Sequence, residues 1–189
     1  MQANSNSDGG QDLFALQINN HALGGVFVDI GCSDYQRKNN TLLLESEFGW
    51  TGIGIDLGGK YKSSWRHSRP NSTFIIANAT MIDYKKLFGL FPFEEHNLPK
   101  VIHYVSIDID PTYANLVVLK SLPFDDYIFN AITFEHNLYL KDSNSTEGPH
   151  VERVKNEAKE FMASQGYTLR KEDVEFQPGK PFEDWYTYE

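Results

Sequence analysis

Short apolar, β-branched runs recur along this chain, each followed by a stretch of helical periodicity, and this alternation constrains the fold more than any other feature. The runs are Val26 to Ile30, Thr51 to Asp56, Thr73 to Ala77, Val101 to Asp108 and Asp126 to Phe134. The helical stretches that follow them are Thr41 to Phe48, Tyr61 to His67, Asp83 to Leu90, Thr112 to Leu122 and Thr146 to Gln165. Near-continuous apolar strands are buried on both faces. Strand–helix alternation makes them parallel neighbours in one sheet, with helices on either side.

The ends of the chain complete this plan. Gln11 to His21 predicts a short amphipathic helix before the first strand, and Met1 to Gly10 a flexible lead. The longest helix carries Val151, Val154, Ala158, Phe161 and Met162 as one apolar stripe, with Thr146 as its expected N-cap and Pro149 in its first turn. Gly166 stops it, and Tyr167 to Phe176 and Phe182 to Tyr188 read as two strands joined by QPGKP. The loop Phe91 to Lys100 bridges the third and fourth units. The expected fold is α/β, a mostly parallel seven-stranded sheet with helices on both faces, in a single domain over residues 11–189.

Composition narrows the function classes. A chain of 189 residues can bury a full core. Its net charge of −9 argues against a nucleic-acid partner, since phosphate backbones are gripped by excess Lys and Arg. No run approaches a membrane span, and the polar start has no basic and apolar signal regions. Cys32 is the one cysteine and cannot pair internally, which suits a reducing compartment. The sequons at Asn40, Asn71, Asn78 and Asn144 read as chance without a secretion signal, and a cytoplasmic location is expected.

In doubly wound sheets the ligand sits beyond the carboxyl ends of the strands, at the switch in strand order. Asp29, Gly31, Cys32, Ser33 and Asp34 fall there after the first strand. Only Gly31 occupies a place in the G-x-G-x-x-G dinucleotide fingerprint, and Asp34 would repel a phosphate. The loop therefore suits a ligand with a positive centre and no phosphate, such as S-adenosylmethionine. Asp56, ending the second strand, can accept both ribose hydroxyls, and Asn78 to Thr80 after the third can meet the adenine edge.

The run QDLFAL, FVDIGCSD, NNTLLLES, GWTGIGID resembles the FkbM-type branch of class I S-adenosylmethionine methyltransferases. The likeness continues through YVSIDID and ITFEHN to the ending GY and FEDWY, from Gln11 to Tyr186. It implies a Rossmann-like class I methyltransferase fold, with S-adenosylmethionine contacts at Gln11, Asp29, Gly31, Cys32, Ser33, Asp34, Thr41, Asp56, Leu57, Asn78, Ala79 and Asp108. Tyr35, Asp56 and Leu57 depart from the branch's usual Gly, Glu and Pro.

Asp108, Glu135 and His136 stand at the ends of the fourth and fifth strands, where one Asp, one Glu and one His could ligate a divalent cation such as Mg²⁺ or Mn²⁺. The set resembles metal-dependent O-methyltransferases, which would make these three the ligands and Asn137 a fourth. A metal would hold two neighbouring acceptor hydroxyls and lower the pKa of one, with Asp110 as general base. A metal-free version has His136 as base and Glu135 orienting it. A structural reading has Asp108 on cofactor alone, Glu135 in a salt bridge and His136 in the core.

Tyr113, Tyr139, Trp65 and Trp185 could stack on a sugar, or simply pack. Arg66 and Arg69 read as solvated helix-end charges or as anchors for an anionic acceptor. The expected activity is O-methylation of a hydroxyl on a sugar or glycan, by a chain that could belong to a longer glycan-building protein. Two alternatives stay open: a small-molecule O-methyltransferase, and a non-catalytic binding module.

Overall fold

The computed structural model describes residues 4–90 and 100–188. The expected loop from Phe91 therefore lies outside the described residues, apart from Lys100. In chain order the strands are β1 (Val26–Ile30), β2 (Thr51–Asp56), β3 (Ser72–Ile76), β4 (Lys100–Ile107), β5 (Tyr127–Glu135), β6 (Tyr167–Glu175) and β7 (Pro181–Tyr188). The helices are α1 (Gln11–Ile18), α2 (Leu42–Phe48), α3 (Lys62–Ser68), α4 (Tyr84–Phe88), α5 (Tyr113–Ser121) and α6 (Gly148–Ser164).

The seven strands form one sheet in the order β3-β2-β1-β4-β5-β7-β6. The first five pair in parallel, and β7 runs antiparallel to both β5 and β6. Strand order therefore reverses between β1 and β4, whose carboxyl ends open a crevice.

The two-residue period of the strands divides the core. Phe27, Tyr104, Ala131 and Trp185 pack on one face against Phe14, Leu16, Leu44 and Trp50 from α1, α2 and the turn after it. Val28, Val105, Ile132 and Tyr186 pack on the other against Val118 and Leu119 of α5 and Val154, Ala158 and Met162 of α6. No described helix is long and apolar enough to cross a membrane.

Local signals explain most boundaries. Gly49 takes a left-handed φ of 65° and ends α2. Asp83 caps α4 through the Lys86 N–H, so the helix begins one residue later than expected. Thr146 does not cap α6. That helix starts at Gly148 after Glu147, whose carboxylate is committed to the N–H and hydroxyl of Thr112. The described part of the lead is tied down as well, since Ser5 and the Asn6 N–H bind Asp12 at 2.6 and 2.7 Å.

Candidate active site

Two cavities lie at the carboxyl ends of β1, β2 and β4, and the Ser33 N–H in the wall of one donates to Asp56 Oδ2 in the wall of the other at 3.0 Å. The first, about 330 Å³, is lined by Asp29, Gly31, Cys32, Ser33, Asp34 and Asp108 among others. The second, about 270 Å³, is lined by Asp56, Leu57, Asn78, Ala79, Asp110 and Tyr113, with apolar surface from Ile55 and Ile109. Ten of the expected cofactor contacts, and Asp110, thus gather around one crevice, polar at one end and more apolar at the other.

Gly31 makes the crevice possible. Its φ is +89°, and a Cβ there would fall 1.7 Å from the carbonyl oxygen of Asp108. Only glycine allows this turn and this approach together. Behind the turn, Asp29 Oδ2 accepts from Thr41 Oγ1 at 3.0 Å and from Asn39 Nδ2 at 3.3 Å. Burial pushes Asp29 up to about 6, against the pull of Thr41 and of the Arg69 charge. Asp34 is held low by the N–H groups of Arg37 and Gln36. Burial pushes the Cys32 thiol up, which disfavours the reactive thiolate.

Two of the expected cofactor residues stand behind the crevice. Thr41 is buried and supports Asp29. Gln11 is buried too, and donates to both oxygens of Glu183, at 3.0 and 3.1 Å.

The acidic cluster differs from its expected form. Ile107 is the last residue of β4, so the alternation that would put Asp108 and Asp110 on one side stops short. Asp108 lines the first cavity and Asp110 the second. Asp108 meets Glu135 carboxyl to carboxyl; burial raises both, and the neighbouring Asp108 raises Glu135 further. Glu183, opposite Glu135 on β7, is raised by burial to about 8.

His136 does not join them. His136 lies just past the end of β5, and its partner Asp184 pairs across the sheet with Phe134, whose side chain points to the opposite face from that of Glu135. The His136 ring is fully buried on the far face, where Nδ1 accepts the Leu138 N–H at 3.1 Å and Nε2 faces Asp184 Oδ1 at 3.3 Å. Among the described residues, the one group of three with the spacing of metal ligands is His136, Asp173 and Asp184. There Lys155 already binds Asp173, at 2.6 Å. Burial works to raise Asp184, but the hydrogen bond and charge of His136, the Asp173 N–H and the Lys155 charge together hold the carboxyl low. The set Asp108, Glu135 and His136 therefore does not fit a cation, and His136 reaches no acceptor as a base. Asn137 donates to Thr112 Oγ1 at 3.2 Å.

Trp65 and Trp185 are core residues, whereas Tyr113 is exposed at the second cavity. Arg69, read as a solvated helix-end charge or an anchor for an anionic acceptor, is 1 % exposed and paired with Glu45 at 2.6 Å. Asp8, Arg37, Lys38, Asn39, Asn40 and Tyr61 also line the first cavity and were missed. The NNT run that holds Asn39 and Asn40 was the available signal.

No family model matches the chain, and neither does any curated protein. Solved structures do resemble it. An O-methyltransferase from Bacillus cereus, in complex with S-adenosylhomocysteine, superposes with a TM-score of 0.67 over 100 % of this chain and 83 % of its own, at 11 % identity. A Clostridium thermocellum protein assigned as an rRNA-methylase gives 0.62 over 98 % and 97 %, at 13 % identity. A TehB-like S-adenosylmethionine-dependent methyltransferase from Corynebacterium glutamicum gives 0.53 over 99 % and 90 %, at 12 % identity. Strand order, crevice and these likenesses agree: the chain has the Rossmann-like fold of class I methyltransferases.

Proposed function

We propose that this chain is an S-adenosylmethionine-dependent O-methyltransferase of the FkbM type that its motifs resemble, acting on a hydroxyl of a sugar or glycan. The observation that carries the reading is the placement of two carboxylates, Asp29 and Asp56, in adjoining cavities on either side of the Gly31 turn. Asp29 is positioned for an ammonium and Asp56 for a ribose diol, and the apolar wall of Ile55, Ala79 and Ile109 suits an adenine. When bound, the donor supplies a methyl group on a sulfonium, already a strong electrophile. The protein then has to align the acceptor in line with that methyl and take one proton.

Asp110 is our choice for the base. It is exposed and lines the second cavity, beside the buried Asp108–Glu135 pair. Because His136 points away, the reaction is written without a metal. The sugar acceptor rests on the motif resemblance and on the half-buried Tyr139 near Glu135 and Asp110.

Calorimetric titration with S-adenosylhomocysteine tests the reading. We expect micromolar binding, weakened about tenfold or more in Asp56→Ala, the scale of lost charge-assisted hydrogen bonds. Transfer of labelled methyl to a panel of glycosides then identifies the acceptor. Absence of cofactor binding under any condition sinks the proposal in favour of a binding module.

A further inference from the structure

Arg69 ends α3, yet its guanidinium turns wholly inward. Nε donates to Glu45 Oε2 at 2.6 Å, Nη1 to Asn39 Oδ1 at 2.9 Å and to the Tyr35 carbonyl at 3.2 Å, and Nη2 to Thr41 Oγ1 at 2.9 Å. Four acceptors on one flat fork is a pattern lysine cannot reproduce. Glu45 is fixed in turn by the Asn71 N–H at 2.9 Å and by the Ser72 hydroxyl.

Two of those acceptors lead on to the same carboxylate. Thr41 Oγ1 and Asn39 Nδ2 both donate to Asp29 Oδ2. Asn39 Nδ2 also binds the carbonyls of Cys32 and Asp34, each at 3.1 Å, and so pins the loop that lines the first cavity. Arg69 itself does not line that cavity. A buried ion pair adds little to stability compared with apolar packing, so its network points toward holding a geometry.

We propose that Arg69 is a positioning residue for donor binding: through Asn39 and Thr41 it sets the loop and the Asp29 carboxylate that receive the donor's amino-acid end. This rests on the donor-site reading above. Arg69 acts at one remove from the ligand, on one half of the crevice only. The second cavity, lined from β2, the turn after β3 and α5, shares none of these bonds.

The two halves can be probed separately. S-adenosylhomocysteine fills both, whereas 5′-methylthioadenosine keeps the nucleoside and lacks the amino-acid end. In Arg69→Lys, which keeps the charge and loses the fork, we expect S-adenosylhomocysteine to bind about tenfold more weakly or worse, the worth of a charge-assisted hydrogen bond. Methylthioadenosine should bind unchanged. Equal loss of both ligands, or of neither, in a cooperatively unfolding Arg69→Lys overturns the proposal.

If that variant does not fold, Thr41→Val interrupts the relay while leaving the Arg69–Glu45 pair intact. The same selective loss then supports the role, and uniform or absent loss overturns it. Wild-type protein that binds neither ligand removes the donor-site reading itself. Wild-type protein that binds both, with Arg69→Lys unaffected, removes only the role of Arg69.

Discussion

Glu183 sits fully buried on β7 and accepts from Gln11 Nε2 and, at 2.7 Å, from Trp185 Nε1. Burial, with the nearby Asp108 adding to it, raises its carboxyl from an ordinary 4.5 to about 8. The folded protein therefore keeps a proton that the unfolded chain releases. That contribution to stability is complete below pH 4.5, shrinks between the two values, and is gone once pH has risen through about 8. Glu183→Gln keeps the shape and one acceptor and has no proton to lose. We expect its urea midpoint to match wild type near pH ~5 and to exceed it near pH ~9, with the gain worth a few kcal/mol. Equal midpoints at both pH values would show that Glu183 ionises freely in the fold. The glutamate was legible in the sequence as part of FEDWY, but its burial was not, because its partner Gln11 is 172 residues away.

Among the elements, the end of β5 and the β6–β7 hairpin carry the clearest departure from expectation. FEHN was rightly placed at a strand end, at the level of Asp108. Reading Glu135 and His136 as one cluster overlooked that β5 ends at Glu135 and that His136 turns to Asp184 of β7. The hairpin then supplies the partners of His136. Asp173 stands at a positive φ of 54° among the register shifts of β6, and its N–H donates to Asp184 Oδ1 at 2.8 Å. Lys155 from α6 closes the network onto Asp173. These bonds pin α6 and the hairpin to the end of β5, and none of the residues that make them lines either cavity. His136→Ala should therefore destabilise the fold by about 3 kcal/mol, leaving Asp184 buried without its partner. S-adenosylhomocysteine affinity, measured on the folded variant, should stay within about twofold of wild type. A large loss of affinity with intact stability would return His136 to the site.

For the molecule as a whole, charge weighs on the choice of acceptor. The chain carries −9, and carboxylates dominate the crevice: Asp8, Asp29, Asp34 and Asp108 in one cavity, Asp56 and Asp110 in the other. Arg37 and Lys38 are the basic residues of the first cavity, and Lys38 is paired with Asp8 at 2.8 Å. Likeness in fold to an rRNA-methylase does not supply the basic surface that an RNA backbone requires. In a gel-shift titration with ribosomal RNA fragments at physiological salt we expect no discrete complex, with or without S-adenosylhomocysteine. A saturable complex would move the acceptor from glycan to RNA.

The sequence by itself determined the sheet, its parallel core, the closing strand pair and the level at which the ligand-binding loops lie. These follow from the strand and helix periods and from glycines such as Gly31, whose effects act within a few residues. Only the tertiary structure decided what each polar side chain faces. Arg69 read as a solvated helix end or an anchor for an anionic acceptor, yet packing buries it on Glu45 and on the loop that supports Asp29. Gln11 and Thr41 matched cofactor motifs, yet they stand one layer behind the crevice. His136 shared a motif with Glu135, yet Asp184 of the closing hairpin holds it away from that cluster. A polar group's role depends on the partner it meets after burial, and that partner comes from a distant segment brought close by the packing of the sheet.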